Sequence, residues 1–502
     1  MTLNVEKCYL AILARDGRFD GVFFTAVVST GVYCRPVCPA KTPHKQNCRF
    51  FPTAAAAEAA GFRPCLRCRP ELSPAALDGN LNSNVRRAFA LMQSGEFSQY
   101  KIGEIAAELG LSERQLRRLF LQEYGLPPVA FAQTQRLLFA KRLLQETSLS
   151  MVDVAFSAGF GSVRRFNTLF RVRYGLVPNE VRRARVSPLT ETIALRLAYR
   201  PPFAWQRLLD FLAMRAIAGV EAVSGNAYYR SVEIEAVQGW LKVEHLAEKN
   251  SLLVTLPTTL APVLINVLAR LRHLFDLDAN PQVIAEQLSA DPRLAPLIAA
   301  NPGLRVPGAW DGFELAMRAV LGQQVSVRGA STLAARLAKT FGEPSATPHE
   351  AILCFSPGAK ALAATTPEKI SSIGLPLKRA ATLHALARAV AAGELRLHAG
   401  ADAEATIEKL KAINGIGDWT AQYIVMRALR WPDAFPAGDL GLRKALAEDG
   451  PMRAAQLLQL AEKWRPWRAY AAVYLWSSLA AKGNNAPDDS AQDRHAINGE
   501  TG

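Results

Sequence analysis

The sequence predicts a multidomain protein, mainly α with α+β parts, and three features carry that prediction. Its 502 residues are too many for one core at about 150 residues per domain. Between residues 85 and 185 a helical pattern occurs twice over. Between 187 and 260 the pattern turns to alternating apolar and polar positions, the mark of an antiparallel sheet.

Composition narrows the class. Half the residues are hydrophobic and 21% are charged, as in ordinary globular domains. There is no run of about 18 uncharged apolar residues, so no membrane partner is expected. The N-terminus, MTLNVEKCYLAILARDGRFD, lacks the basic start and cleavage site of a signal peptide, and a cytoplasmic protein is expected. A net charge of +15 calls for an acidic partner, nucleic acid being the commonest. A basic enzyme with a solubilising surface would show the same balance. Bunching of the charge at 114–118 (RQLRR), 164–173 and 182–185 (RRAR) favours nucleic acid.

Taken in order, residues 1–76 hold clustered cysteines with Pro and Gly and read as a small domain whose core needs a staple. Segment 73–84 (SPAALDGNLNSN) is polar and turn-rich, a linker. Within 84–185, IAAELGLSERQLRRLFLQEYGLPP (105–128) is echoed by VAFSAGFGSVRRFNTLFRVRYGLVP (154–178), with a connecting helix near 129–146. Gly110, Phe120 and Tyr124-Gly125 recur as Gly159, Phe170 and Tyr174-Gly175. Each copy has an amphipathic helix, a glycine turn and a second helix, a tandem helix-turn-helix pattern. TIALRLAY (192–199), SVEIEAV (231–237) and SLLVTLP (251–257) read as strands, and helical periodicity runs from 261 to about 481. The tail 483–502 is polar, without aromatics, and reads as disordered.

Cys34-x3-Cys38 and Cys65-x2-Cys68 form two close pairs. In a reducing compartment such spacing suits one tetrahedral Zn²⁺, whose binding supplies folding energy to a domain short of core. Spacing alone favours an inert structural ion. Arg63 and Arg67 flank the second pair and could hold phosphate or be solvated surface charges, while Cys8, Cys48 and Cys354 have no partner and read as incidental thiols. STGVYCRPVCPAK (29–41) with GFRPCLRCRPE (61–71) closely resembles the N-terminal domain of the Ada family. The resemblance implies that Cys34 is both a zinc ligand and the acceptor of a methyl group from a DNA methylphosphotriester, with Cys38, Cys65 and Cys68 completing the coordination. Methylation would remove one negative charge beside the phosphate backbone and strengthen DNA binding.

The doubled helical motif resembles the AraC family of transcription regulators. Recognition helices would begin near Ser112 and Ser162 and present Arg114, Arg117 and Arg118, then Arg164, Arg165 and Asn167, to double-stranded DNA. Two such helices about 34 Å apart would enter successive major grooves. The resemblance adds promoter DNA, and RNA polymerase, as candidate partners.

In the last third, Ile413-Asn414-Gly415-Ile416-Gly417 separates two helical patterns, with Asp418 placed to cap the second. Glycines allow a tight hairpin whose N–H groups seat a phosphate. Trp419 and Tyr423 follow, and Asp439 comes in FPAGDLGLRKAL. Alone, Asp439 after Pro436-Ala437-Gly438 would be read as a helix N-cap, and aromatics at helical spacing as core. Together these residues resemble the helix-hairpin-helix base-excision glycosylases and, over roughly 190–480, the AlkA-type 3-methyladenine DNA glycosylases. RPPFAW (200–205), HLFDLDANP (273–281), RAVLGQQVSV (318–327) and KWRPWRAYAAVYLW (463–476) extend the match.

That resemblance implies a TATA-binding-protein-like antiparallel subdomain at 190–303 and an all-α glycosylase domain at 304–482. Asp439 becomes the catalytic carboxylate, and Trp419, Tyr423 and Trp476 an electron-rich pocket for a flipped cationic base such as 3-methyladenine or 7-methylguanine. Asn414, Gly415 and Gly417 would hold the DNA backbone. Lyase-type relatives carry a nucleophilic lysine where this chain has Trp419, so a monofunctional hydrolase with no cofactor is expected. Gln324 stands where the family's leucine wedge would fill the gap left by the flipped base. The expectation is a monomeric fusion of an Ada-type methyl acceptor and regulator with an AlkA-type glycosylase. Two rivals remain: an activator whose rear half only binds lesions, and a glycosylase whose zinc domain is a plain DNA anchor.

Overall fold

A computed structural model of the chain describes residues 3–74, 83–93, 102–182, 191–446 and 452–483. Most of the segment read as a linker, and the tail from 484 on, lie outside the described residues.

The front unit has a helix α1 (Val5–Leu13), then β1 (Phe24–Val27), β2 (Val32–Cys34), β3 (Cys48–Phe51), α2 (Ala54–Ala59) and β4 (Arg63–Pro64), in a sheet of order β3-β1-β2-β4. β2 and β4 run parallel with Tyr33 opposite Pro64, so one residue further on Cys34 and Cys65 fall side by side. Phe24, Ala26, Tyr33, Ala54, Ala57 and Phe62 make a core of few side chains. Burying a large apolar side chain yields about 1.5–3 kcal/mol, so a core this small leaves the unit dependent on a further constraint.

Seven helices follow: α3 (Ser83–Gln93), α4 (Ile102–Glu108), α5 (Glu113–Tyr124), α6 (Pro128–Glu146), α7 (Met151–Ser157), α8 (Val163–Tyr174) and α9 (Pro178–Val181). The repeat read from sequence is a structural repeat. Ser112 and Ser162 cap α5 and α8 through their hydroxyls, and Gly125 and Gly175 end them at φ +70° and +66°. Burial falls on Leu116 and Phe120 in one copy and on Phe166 and Phe170 in the other. The helix that joins the two copies starts with Pro128 in its first turn, where a missing N–H costs nothing. Glu58 on α2 is buried and accepts hydrogen bonds from Tyr33 (3.0 Å), Thr134 on α6 (2.8 Å) and Tyr174 on α8 (3.2 Å). Burial pushes its carboxyl up to about 7, against those hydrogen bonds, which pull it down.

β5 (Thr192–Ala198), β6 (Glu221–Ser224), β7 (Ala227–Ile234), β8 (Val237–Leu246) and β9 (Ser251–Pro257) form an antiparallel sheet of order β5-β9-β8-β7-β6, with Leu195 opposite Val254. SVEIEAV is not one strand. Glu235 and Ala236 take φ +50° and +65° and make the two-residue hairpin turn between β7 and β8. That turn normally carries Asn or Gly, so nothing in the sequence marked it. Between β5 and β6 the chain forms α10 (Trp205–Arg215), which the strand pattern hid.

The rest is helical: α11 (Leu264–Leu274), α12 (Pro281–Leu288), α13 (Ala295–Ala300), α14 (Gly312–Leu321), α15 (Val327–Phe341), α16 (Ala359–Ala363), α17 (Pro367–Ser371), α18 (Leu377–Ala391), α19 (Ala403–Lys411), α20 (Asp418–Ala428), α21 (Leu440–Ala445), α22 (Ala454–Ala461) and α23 (Arg468–Gly483). Among the described residues no helix is long and apolar enough to cross a membrane. One hydrophobic cluster runs from Leu137 of the connecting helix α6 and Phe166 and Phe170 of α8 through Leu195, Val254 and Leu260 to Trp310. A second, around Leu315, Leu383, Ile416 and Ile424, supports the hairpin between α19 and α20.

Candidate functional site

Between α10, α14, α20, α23 and the 304–307 segment lies a cavity of about 560 Å³. Asp439, Trp419, Tyr423 and Trp476 all line it, so the sequence-nominated residues converge. Asp439 precedes α21, and its Oδ1 accepts from the Leu442 amide (2.9 Å) and from Trp476 Nε1 (3.0 Å). Its Oδ2 accepts from Trp419 Nε1 (2.9 Å). The cap that a bland reading assigns to this residue is therefore real. It coexists with a half-buried carboxylate clamped between two indoles at a cavity wall. Trp419 and Tyr423 stack at 5.5 Å with planes 9° apart, as expected one helical turn apart on α20, and Trp476 meets Tyr423 at 63°.

The lining is not uniformly electron-rich, and here the expectation needs correcting. Arg427 donates to the Tyr423 hydroxyl at 2.6 Å and to the carbonyls of Pro307 (2.7 Å) and Gly308 (3.0 Å). Arg215 lies over Phe211 at 3.8 Å. Burial raises the tyrosine, yet Arg427 and Arg215 outweigh it and hold the Tyr423 hydroxyl below its ordinary range. Guanidiniums in the lining, against the rings of Phe211 and Tyr423, weaken the pull of those rings on a cation.

The hairpin at 413–417 has Ile416 buried as its anchor, while Asn414, Gly415 and Gly417 are exposed. Gly415 sits at φ +93°, and a Cβ there would meet Thr382 Oγ1 at 2.2 Å. Gly417 is extended and caps α20 without a side chain. Asp418 is the first residue of α20 rather than its cap, because the chain enters the helix one residue earlier. Gln323 donates to Gly415 O (2.9 Å) and Thr420 (3.2 Å), tying the α14–α15 turn to the hairpin. Gln324, next to it, is exposed at φ +55° and does not line the cavity. A glutamine in the left-handed region is a strained position of the kind found at functional sites.

The four cysteine sulfurs of the front unit lie within 4.8 Å of one another. A tetrahedron of about 2.3 Å Zn–S bonds needs S···S separations near ~3.8 Å, so the donor set fits zinc. The main-chain N–H of Arg35 points at Cys68 Sγ and that of Arg67 at Cys65 Sγ, each 3.4 Å away, which favours thiolates. Cys34 is partly exposed and Cys68 buried. Arg63 is half-buried on β4 and Arg67 exposed. On α5 and α8, Arg114, Arg117, Arg118, Arg164, Arg165 and Asn167 are all exposed.

Comparison with known proteins matches four family models to this chain. They are the metal binding domain of Ada (7–71), a helix-turn-helix domain (105–184), the AlkA N-terminal domain (194–311) and the HhH-GPD superfamily of base excision DNA repair proteins (317–468). A probable bifunctional transcriptional activator/DNA repair enzyme AlkA of Mycobacterium tuberculosis is 41% identical over 492 residues, covering 96% of this chain and 98% of that one. The chain belongs to the family of bifunctional AlkA proteins. DNA-3-methyladenine glycosylase 2 of Escherichia coli is 38% identical over 280 residues, 56% of this chain and 95% of its own length. The solved 3-methyladenine DNA glycosylase of Archaeoglobus fulgidus shares the fold at a TM-score of 0.50 and 21% identity, over 56% of this chain and 97% of that one.

In this bifunctional AlkA chain the sequence reading missed Phe211, Arg215 and Arg427. The first two come from α10, whose apolar residues Trp205, Leu208, Leu209 and Leu212 recur at helical spacing, a signal that was present but overlooked beside the neighbouring strands. Arg427 lies one turn beyond Tyr423, and only the tertiary fold brings it to the carbonyls of Pro307 and Gly308.

Proposed function

We propose that this chain hydrolyses the N-glycosidic bond of alkylated bases, such as 3-methyladenine and 7-methylguanine, in double-stranded DNA. It also carries a methyl acceptor and promoter-binding unit at its front. The working division is a zinc domain at 1–76, tandem helix-turn-helix at 84–185, sheet subdomain at 190–303 and glycosylase domain at 304–482. The observation that carries the reading is Asp439, held by two indole N–H groups at the wall of an aromatic-lined cavity.

The backbone N–H groups around Asn414, Gly415 and Gly417 grip a phosphate. The damaged nucleotide turns out of the stack into the cavity, where its base lies against Trp419, Tyr423 and Trp476. Gln324 at the rim fills the vacated space. The C1′–N bond then breaks, its electron pair leaving with the base, which an alkylated, positively charged purine accepts without prior protonation. Asp439 stabilises the oxocarbenium-like sugar and takes the proton of the water whose oxygen bonds to C1′. Trp419 occupies the place of a lyase lysine, so the strand stays uncut.

At the front, Cys38, Cys65, Cys68 and Cys34 would hold Zn²⁺, which supplies the positive charge that keeps the thiols deprotonated at neutral pH. The Cys34 thiolate attacks the methyl carbon of a methylphosphotriester. An S–C bond forms, the C–O bond breaks and the phosphodiester leaves with its negative charge. Arg63 beside the cluster and the exposed arginines of α5 and α8 hold DNA.

Two measurements test the reading. Incubation with methylated duplex DNA releases free alkylated base while leaving abasic strands intact; lesion binding without release would reduce the rear half to a binding module. Mass spectrometry after the same incubation finds one added methyl on Cys34. An unmodified Cys34 alongside active base release makes the front unit a plain DNA anchor.

A further inference from the structure

We propose that the zinc-binding unit and the glycosylase half are docked as one body through Arg200, so that the state of the cysteine cluster is felt at the base cavity. Arg200 is 1% exposed, and its guanidinium donates to main-chain carbonyls of three segments: Asp20 (2.9 Å), Pro74 (3.2 Å) and Asp278 (2.9 Å). The first two belong to the front unit, the third to the helical half. Units joined only by a tether meet through wet, polar and mobile surfaces. A guanidinium withdrawn from water is tolerated only where its donors are met, which requires the three segments to stay together. Gly21 confirms how closely they meet: at φ +77°, a Cβ on it would lie 1.9 Å from Pro74 O and 3.0 Å from Arg200 Nη2.

The contacts on both sides of Arg200 lead to the two proposed sites. Towards the cysteines, the Asp20 carboxylate pairs with Arg35, whose side chain donates to Cys68 O (3.3 Å) and whose main-chain N–H points at Cys68 Sγ. Towards the cavity, the carbonyls of Arg200 and Pro202 accept from Arg305 (2.6 and 3.2 Å), and Arg305 is part of the cavity lining. Four residues, Arg35, Asp20, Arg200 and Arg305, thus connect the cysteine cluster to the lining of the cavity that also holds Asp439.

Further ties run to the helix-turn-helix unit, which contacts both the front unit and the glycosylase half. Lys141 on α6 and Glu71 at the end of the front unit form a fully buried pair. Glu146 on α6 pairs with Arg69 and with Arg196 of β5. Ser157 on α7 donates to Ala261 O at 2.7 Å. Arg87 on α3 donates to Gly400 O at 2.8 Å. Coupling needs two arrangements of a packed element. The zinc unit supplies them, since its small core leaves it ordered with the ion and loose without it.

The test is hydrogen exchange on the full-length protein, zinc-loaded and after removal of zinc by a chelator. It reads structure, so it stands whether or not the chain excises bases. Docking predicts that amides of β5 and of residues 303–307 exchange about tenfold faster or more without zinc, with those of α14 and α18 unchanged. Gly21→Ala, which wedges the interface and leaves the four cysteines in place, should produce the same pattern with zinc bound. Faster exchange confined to the residues before 76 in both experiments would overturn the proposal.

Discussion

Among the described residues Asp439 Oδ1 is engaged twice, by the Leu442 amide and by Trp476, whereas Oδ2 has a single donor, Trp419, and keeps a lone pair for water or sugar. The two oxygens divide the work of capping and chemistry. Asn is as good an N-cap as Asp, but its amide NH2 cannot accept from Trp419 Nε1, so Asp439→Asn should cost about 1 kcal/mol of unfolding stability, while Asp439→Ala loses the cap as well and costs about 1 kcal/mol more, read by urea denaturation. Glu58 makes a pH prediction. Its carboxyl is raised to about 7 in the folded protein, so between its unfolded value and pH 7 the native state binds the extra proton. Stability from this group is present at low pH and falls as pH rises through that window. Glu58→Gln, which cannot ionise, should gain up to about 3 kcal/mol relative to wild type between pH 5 and pH 8. A gap between the two proteins that is independent of pH would show that Glu58 ionises without cost.

At the scale of elements, the hairpin separates two glycines that look alike in sequence. Gly415 needs its left-handed backbone and the space beside Thr382. Gly417 has neither constraint, its Cβ position meeting nothing within 4 Å. Gly415→Ala should therefore cost about 1 kcal/mol or more of stability and weaken DNA binding with it. Gly417→Ala should leave the melting temperature alone and weaken duplex binding only, because its cost falls on the approaching phosphate. Equal losses of stability in both variants would contradict this reading of the turn. The same elements show what a sequence discloses. Ser112, Gly125, Ser162 and Gly175 announce helix ends by their own chemistry, and the doubled pattern was legible for that reason. Glu235-Ala236 sits in a turn these residue types seldom adopt, and α10 lies between strands, so both were read wrongly. The guanidiniums against Phe211 and Tyr423 were invisible, since residues 211, 215, 427 and 307 meet only in the fold.

For the whole molecule, the four cysteines and the aspartate with its indoles were recoverable because each group is short-range or carries a family's spacing. The docking of the halves was not. Arg200 stands in a quoted motif, yet its partners at 20, 74 and 278 are set by tertiary packing, and the core shared by Phe166, Leu195 and Trp310 joins segments more than a hundred residues apart. Under the proposed function, with the helix-turn-helix pair and the cavity in one body, a single charge at the cavity wall is what would distinguish an enzyme from a lesion-binding regulator. Base release from methylated duplex DNA, compared between wild type and Asp439→Asn at equal folded concentration, measures that charge. The account predicts a fall of at least about a hundredfold with lesion binding retained. Release at the wild-type rate in the asparagine form would contradict it.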